Sequence, residues 1–325
     1  MTGTVPVSWH FVVFQRVKAH STVAPALSPA AEERGLPAVK KRRVTKKAVT
    51  YWVIWAGCLL IAAVILLPIV FTVFASFMSP DEVALNYGEM SLENGFTPLH
   101  LFPDKISLSG YREVLLETPR YLMQFWISLG ICLAICVGQV ILSILGGYAF
   151  SRFRFRFRDA IFFGVIVLMV LPYQVTLAPS YMVIKALGLL NTNASLILPG
   201  IFSAFGLFLM RQVMASVPDS VMEAASLDGA NTFVALWRVM VPCCASGVKA
   251  LVLLSFVDAW SMVEQPIVFI TDTFRQPLSV FLLRVGGENM ALGFACSVLF
   301  MIPVLFLHLL FEEQLVEGIV RSEIK

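Results

Sequence analysis

The sequence predicts an all-α protein that crosses a membrane six times, and three observations predict it. Of 325 residues, 58% are hydrophobic and only 14% are charged, with a mean hydropathy of +0.82. A soluble domain carries about a quarter charged residues, so most of this chain is expected in lipid. Second, its apolar residues gather into six runs near the ~20 residues that a helix needs to cross a hydrocarbon core, about twice the length of a barrel strand. Third, the basic residues segregate. With six spans, 18 of the 24 Lys and Arg fall on the side that holds both termini. Basic excess marks the cytoplasmic side, so both ends and the loop before the fifth span are expected in the cytoplasm.

Taken in order, residues 1–48 are polar, with a dense basic run of Lys40, Lys41, Arg42, Arg43, Lys46 and Lys47. The apolar patch at residues 11–14 is too short for a signal-peptide core or a span. The run reads as a juxtamembrane topology signal rather than a nucleic-acid patch, and the segment as a cytoplasmic tail without fixed structure. Residues 49–325 form the six-span domain. The first span is expected over 51–77. An outer segment over 78–120 follows, with seven acids against Lys105, Arg112 and Arg120. The second span covers 122–150. Arg152, Arg154, Arg156 and Arg158 then alternate with Phe in an interfacial cytoplasmic loop. The third span, 160–181, contains Pro172 and Pro179. The fourth covers 195–214, the fifth 247–270 and the sixth 290–311, with 271–289 as a short outer loop and a polar tail after Phe311.

The stretch 216–242, S-V-P-D-S-V-M-E-A-A-S-L-D-G-A-N-T-F-V-A-L-W-R-V-M-V-P, is a polar island among these spans. Ser216 is expected as an N-cap, with Pro218 and Asp219 in the first turn, where a missing N–H and a negative charge suit a helix start. The helix should carry Glu223, Ala224 and Ala225 and stop at Asp228-Gly229, because Gly tolerates the left-handed conformation that closes a helix. Asn231 then caps a second helix that Pro242 ends. On it Phe233, Leu236, Trp237 and Met240 make one apolar stripe.

The E-A-A-x-x-D-G-A motif, with Pro218 before it and Val241-Pro242 after it, resembles the coupling loop of ABC importer permeases. The likeness is to the carbohydrate-uptake, maltose-type group. It extends over residues 49–325 through G-Y-A-F-S-R-F-R-F (147–155), S-L-S-G-Y-R-E-V-L (107–115) and F-V-D-A-W-S-M-V-E-Q-P (256–266). In the last of these Ser261 replaces the usual Asn and Glu264 an apolar residue. Ser246 stands where the family often has Pro. The resemblance implies a type I importer permease fold with cytoplasmic coupling helices, in a bacterial cytoplasmic (inner) membrane. It implies ATPase coupling through Glu223, Ala224, Ala225, Asp228, Gly229, Ala230 and Pro242. It also implies three partners: a second permease subunit, an ATP-binding subunit dimer and an extracytoplasmic solute-binding protein. The cargo would be a sugar or related solute.

The chain lacks its own engine. It contains no G-x-x-x-x-G-K-[ST] phosphate cradle, no H-E-x-x-H and no G-x-S-x-G. No catalytic residue, metal or cofactor is assigned to it, and ATP and Mg are expected on the partner ATPase. The six cysteines point to no chemistry, and Cys132 and Cys136, on one helix face, read as small apolar packing residues. An ion-gradient-driven secondary transporter is the alternative. It would predict broken spans and intramembrane ion ligands in two corresponding halves, whereas Asp258 and Glu264 share one span. A membrane scaffold has no positive sign. For the path itself, a mid-span Asp258 costs about 2.5–3.5 kcal/mol against lipid, so it should face protein or water. With a continuous helix, Asp258, Ser261 and Gln265 stack on one face, with Trp260 and Glu264 on an adjoining one. Together they are candidates to line a sugar path, offering hydroxyl partners and a flat apolar ring.

Overall fold

A computed structural model describes residues 46–87 and 101–323; side chains are described for 51–87, 101–286 and 289–311. All described regular structure is helical. The helices are α1 (Lys46–Ala75), α2 (Pro80–Tyr87), α3 (Ser109–Arg112, continued by a π turn, Glu113–Glu117), α4 (Pro119–Arg152), α5 (Arg158–Val170) and α6 (Tyr173–Ala186). They continue as α7 (Ala194–Gly200), α8 (Ala204–Ala215), α9 (Asp219–Leu227) and α10 (Thr232–Ala235, passing through a π turn, Leu236–Met240, into α11, Val241–Cys243). The last are α12 (Ala245–Trp260), α13 (Glu264–Phe269), α14 (Leu278–Glu288) and α15 (Met290–Glu323).

Residues 1–45, most of the predicted tail, lie outside the described residues. Residues 46–48, which the sequence reading assigns to that tail, begin α1 instead. The chain divides into two units, residues 1–59 and 60–325. In the first, Tyr51 packs edge-on to Trp52 at 6.4 Å and tilted to Trp55 at 6.2 Å, an aromatic group of the kind that settles at a membrane interface.

By length and composition, Tyr51–Ala75, Pro119–Arg152, Ala194–Ala215 and Met290–Phe311 can each cross a membrane, and two bent pairs raise four to six. The predicted third span is one of these pairs. It bends by 104° between α5 and α6, because Pro172 supplies no N–H and holds Leu171 extended (φ −66°, ψ 130°). The other pair is Thr232–Cys243 with Ala245–Trp260, which joins α10 and α11 to α12; the predicted fifth span is itself not continuous. Its helix, α12, stops at Trp260, and residues 261–263 separate it from the short α13. The fourth keeps its direction through a break at 201–203, where Ser203 Oγ accepts from Gly206 N at 3.0 Å. The predicted outer loop 271–289 contains a helix, α14, which packs on α15 and α4. Beyond the sixth span the tail stays helical to Glu323.

The second unit is built around α4, which packs along α8, α12 and α14. Its buried face includes Tyr121, Ile131, Cys132, Ile135, Cys136 and Ile144. The cysteines are free, and Cys132 Sγ donates to Phe256 O at 3.4 Å, consistent with a packing role. Small residues let the helices approach. A Cβ on Gly147 would lie 2.6 Å from Met210 Cβ and 2.8 Å from Met210 carbonyl carbon, on the backbone of α8. Backbone cannot swing aside as a side-chain end can, so Gly147→Ala should lower the yield of folded protein by forcing α4 off α8. Gly164→Ala, with nothing within 4 Å of the added carbon, should leave yield unchanged. Detergent-extracted monodisperse protein measures both.

Candidate functional site

Two features stand apart from the bundle: the hairpin of α9 and α10, and a polar cavity at the broken helices.

The hairpin is positioned by Arg152, the last residue of α4. Its guanidinium forms an ion pair with Asp219, the first residue of α9. It also donates to Met214 O at 2.9 Å and Val217 O at 2.6 Å. One mostly covered cation thus binds a carbonyl in the last turn of α8, a carbonyl of the link that follows it, and a carboxylate at the start of α9, where the helix dipole also favours it. Ser216 does not cap α9 as predicted. It follows α8, its Oγ donating back to Val213 O at 2.7 Å, and Pro218 occupies the position before Asp219.

The turn is the one that the sequence predicts. Gly229 has φ +82°, Gly229 N donates to Ser226 O at 3.0 Å and Ala230 N to Ala225 O at 3.0 Å, a Schellman closure. Asn231 Oδ1 accepts from Val234 N at 2.9 Å and caps α10. Pro242 does not end that helix. It lies exposed within α11, and the chain then turns by 82° at Cys244 straight into α12. The hairpin is therefore joined to the bundle at both ends.

Of the predicted coupling residues, Glu223, Ala224, Asp228, Gly229 and Pro242 are exposed, Ala230 is half-buried and Ala225 is buried. The apolar stripe divides. Leu236 and Met240 are buried against Ile144, Tyr148, Met210 and Met214 of α4 and α8, with Trp237 packed against that cluster. Phe233 is 67% exposed, and Leu227 near the tip 89%. Two large apolar side chains are thus left exposed toward the tip of a hairpin otherwise anchored in the core. Beneath it, Tyr148, Arg152, Glu223 and Thr232 help to line a hollow of about 420 Å³.

The second feature is a cavity of about 340 Å³ where α6, α12 and α13 break. Asp258 comes from the last turn of α12, Ser261 from the break, and Glu264 and Gln265 from the start of α13. The structure thus brings four of the five predicted path residues together, by a different geometry from the one expected. They do not stack on one helix face; the chain leaves the helix at Ser261, whose Oγ donates to Val257 O at 2.7 Å, and wraps around the cavity. The backbone freed by the break is partly re-satisfied from outside, since Ser279 Oγ donates to Met262 O. Irregular backbone at membrane depth is tolerated where it is buried in protein or lines a cavity.

Trp260 is the exception. It is 1% exposed, stacked on Phe256 at 5.7 Å and Phe300 at 5.2 Å, and its Nε1 donates to Phe300 O at 3.1 Å. Two residues along a helix is a rotation of about 200°, so with Asp258 toward the cavity Trp260 points into the core. The expectation that its ring lines the path is not met.

Sequence reasoning missed the residues that the other elements contribute. Gln139 of α4 lines the cavity and donates to Gly200 O at 2.8 Å. Tyr173 and Gln174, at the start of α6, close another side, and Gln174 Nε2 donates to Glu264 Oε1 at 3.2 Å. The signal was present: Gln139 and Gln174 are amides inside apolar spans, and Gln174 follows Pro172. The groups that meet here are carboxylates, amides, a hydroxyl and a phenol, a set that exchanges hydrogen bonds with a polar solute. Among the described residues no group of three or more His, Cys, Asp or Glu could hold a metal ion.

Comparison with known proteins gives this arrangement relatives. Residues 139–317 match the family described as binding-protein-dependent transport system inner membrane component. The chain is 26% identical over 277 residues to the arabinooligosaccharides transport system permease protein of Halalkalibacterium halodurans, covering 84% of this chain and 96% of that one. It is 28% identical over 265 residues to the sn-glycerol-3-phosphate transport system permease protein of Rhizobium meliloti, covering 80% and 92%. Its fold is similar to a chain of a bacterial ABC transporter involved in the import of the acidic polysaccharide alginate. The TM-score is 0.68 at 22% identity, over 83% of this chain and 98% of that one.

Proposed function

This chain belongs to the family of binding-protein-dependent transport system inner membrane components, and from that premise we propose that it is one permease subunit of an ATP-driven importer for a sugar or related polyhydroxylated solute. The observation that carries the proposal is the hairpin: a capped helix, a Gly turn and a second helix, clamped by Arg152 at one end and continuous with α12 at the other. A push on its exposed tip would reach α12 and α4, and through them the cavity at Asp258.

In this reading Glu223, Asp228 and Gly229 face a separate ATPase dimer, which binds ATP and Mg. The four cavity residues Asp258, Ser261, Glu264 and Gln265 line half of a path whose other half a second permease supplies. A solute-binding protein delivers cargo from the extracytoplasmic side. The relatives' names support the cargo class, since they concern an arabinooligosaccharide, a glycerol phosphate and a polysaccharide. The excess of basic residues on the hairpin's side supports a cytoplasmic hairpin and termini.

The test is uptake of labelled arabino-oligosaccharides and other neutral sugars by proteoliposomes carrying the whole transporter. Uptake should require ATP and Mg on the hairpin's side and survive collapse of ion gradients; uptake abolished by that collapse and indifferent to ATP would overturn the proposal in favour of a secondary transporter. Orientation has its own check. In intact cells Lys105→Cys should react with an impermeant thiol reagent, and Asp228→Cys only after the membrane is opened; both positions are exposed.

A further inference from the structure

The charge of the cavity narrows the cargo. This inference rests on the path reading above. A second hollow, of about 310 Å³, adjoins the first along α12, lined by Ser203, Leu251 and Ser255 among others. Gln139 and Asp258 line both, so the two follow one seam between α4 and α12, with Asp258 where they meet. Neither hollow is lined by any Lys, Arg or His.

Two carboxylates face this space without a balancing cation. The Asp258 carboxylate has no hydrogen bond or ion pair among the described residues. Glu264 accepts only from the neutral amide of Gln174. The four ion pairs among the described residues are Arg112–Glu117, Arg152–Asp219, Arg158–Asp159 and Arg275–Asp272, none of them in the lining. Low-dielectric walls focus the field of uncompensated charge into a cleft and change the local concentration of an ion by about 10- to 10³-fold. The remaining polar groups, Gln139, Gln174, Gln265, Ser203, Ser255, Ser261 and Tyr173, each donate and accept. They suit hydroxyls and supply no fixed positive charge.

We infer that this half of the path selects against anions, and that the cargo is a polyhydroxylated solute with no net negative charge, not a sugar phosphate or a uronate.

Ser261→Cys tests this in the full chain, with the exposed Cys58 and Cys243 replaced by Ser and the four buried cysteines kept. Permeabilised cells carrying the whole transporter are treated with three methanethiosulfonates: neutral hydroxyethyl, cationic trimethylammonioethyl and anionic sulfonatoethyl. Rates are divided by those for a free small thiol. The cationic reagent should exceed the anionic one by about tenfold or more, with the neutral one between them. Asp258→Asn with Glu264→Gln should bring the ratio near one. Met262→Cys, also in the lining, serves as a second reporter should Ser261→Cys fail to assemble. If neither thiol reacts with the neutral reagent, the cavity is closed to solute and both the path reading and this inference fall. If both react but the charged reagents do so equally, or the double variant leaves the ratio unchanged, the path stands and the selection against anions is wrong.

Discussion

Replacing Arg152 with methionine should cut ATP-driven uptake by about tenfold or more while the protein still inserts. The side chain is only 11% exposed, and two of its three partners are backbone carbonyls, of Met214 and Val217. Hydrogen bonds from a charged donor contribute about 1.5–3 kcal/mol each, and about 1.4 kcal/mol is a factor of ten in an equilibrium. Losing both should release the start of α9 from the ends of α4 and α8 and leave the hairpin mispositioned for its ATPase. The ion pair is the lesser part. Asp219 is 85% exposed, and exposed pairs contribute about 0–1 kcal/mol, so Asp219→Asn should lower uptake well under tenfold. The measurement is ATPase stimulation and uptake per assembled complex. Equal losses in the two variants would show that the salt bridge, not the carbonyl clamp, holds the hairpin.

Gly229→Pro should abolish coupled transport, leaving hydrolysis either unstimulated or no longer tied to uptake. Gly229 sits at φ +82°, and proline is confined near −65°, so the turn between α9 and α10 has to re-form elsewhere. The backbone hydrogen bond from Gly229 N to Ser226 O is lost as well. Gly229→Ala isolates the conformational part. No atom lies within 4 Å of the added carbon, so its cost is the left-handed backbone alone, about 1–2 kcal/mol, and its activity should fall between wild type and the proline variant. If Gly229→Pro transports normally with wild-type ATPase stimulation, the hairpin is not the coupling element.

Most of the hairpin was legible because its determinants are local. A caps residue such as Asn231, a Gly that must adopt positive φ and an apolar stripe at helical spacing act within a few residues of chain. Its two errors lie at its ends, where non-local partners decide. Ser216 is equally able to cap forward or bond backward; here it stays helical (φ −79°, ψ −14°) with its Oγ on Val213 O, while Arg152 holds the carbonyls of Met214 and Val217. Pro242 stands one residue before the end of the helical stretch Thr232–Cys243, and the 82° turn into α12 falls at Cys244.

The spans show the same division. Hydropathy alone determined that the chain is helical and membrane-bound, and motif residues in the hairpin determined its class, since both signals are written in residue type and short spacing. Hydropathy averages over some 20 residues and is blind to a three-residue break: Pro172 interrupts the third span locally, whereas only the tertiary structure decided that the fifth is interrupted at 261–263. That decision makes the cavity. It carries Ser261, Glu264 and Gln265 around to Asp258, turns Trp260 into the core, and adds Gln139, Tyr173 and Gln174 from helices far away in sequence. A single chain read in order contains no information on which distant amide will meet a carboxylate. Packing of α4 against α7 and α12 supplies it, because at the close approach of helices each buried polar group must find its partner across the interface.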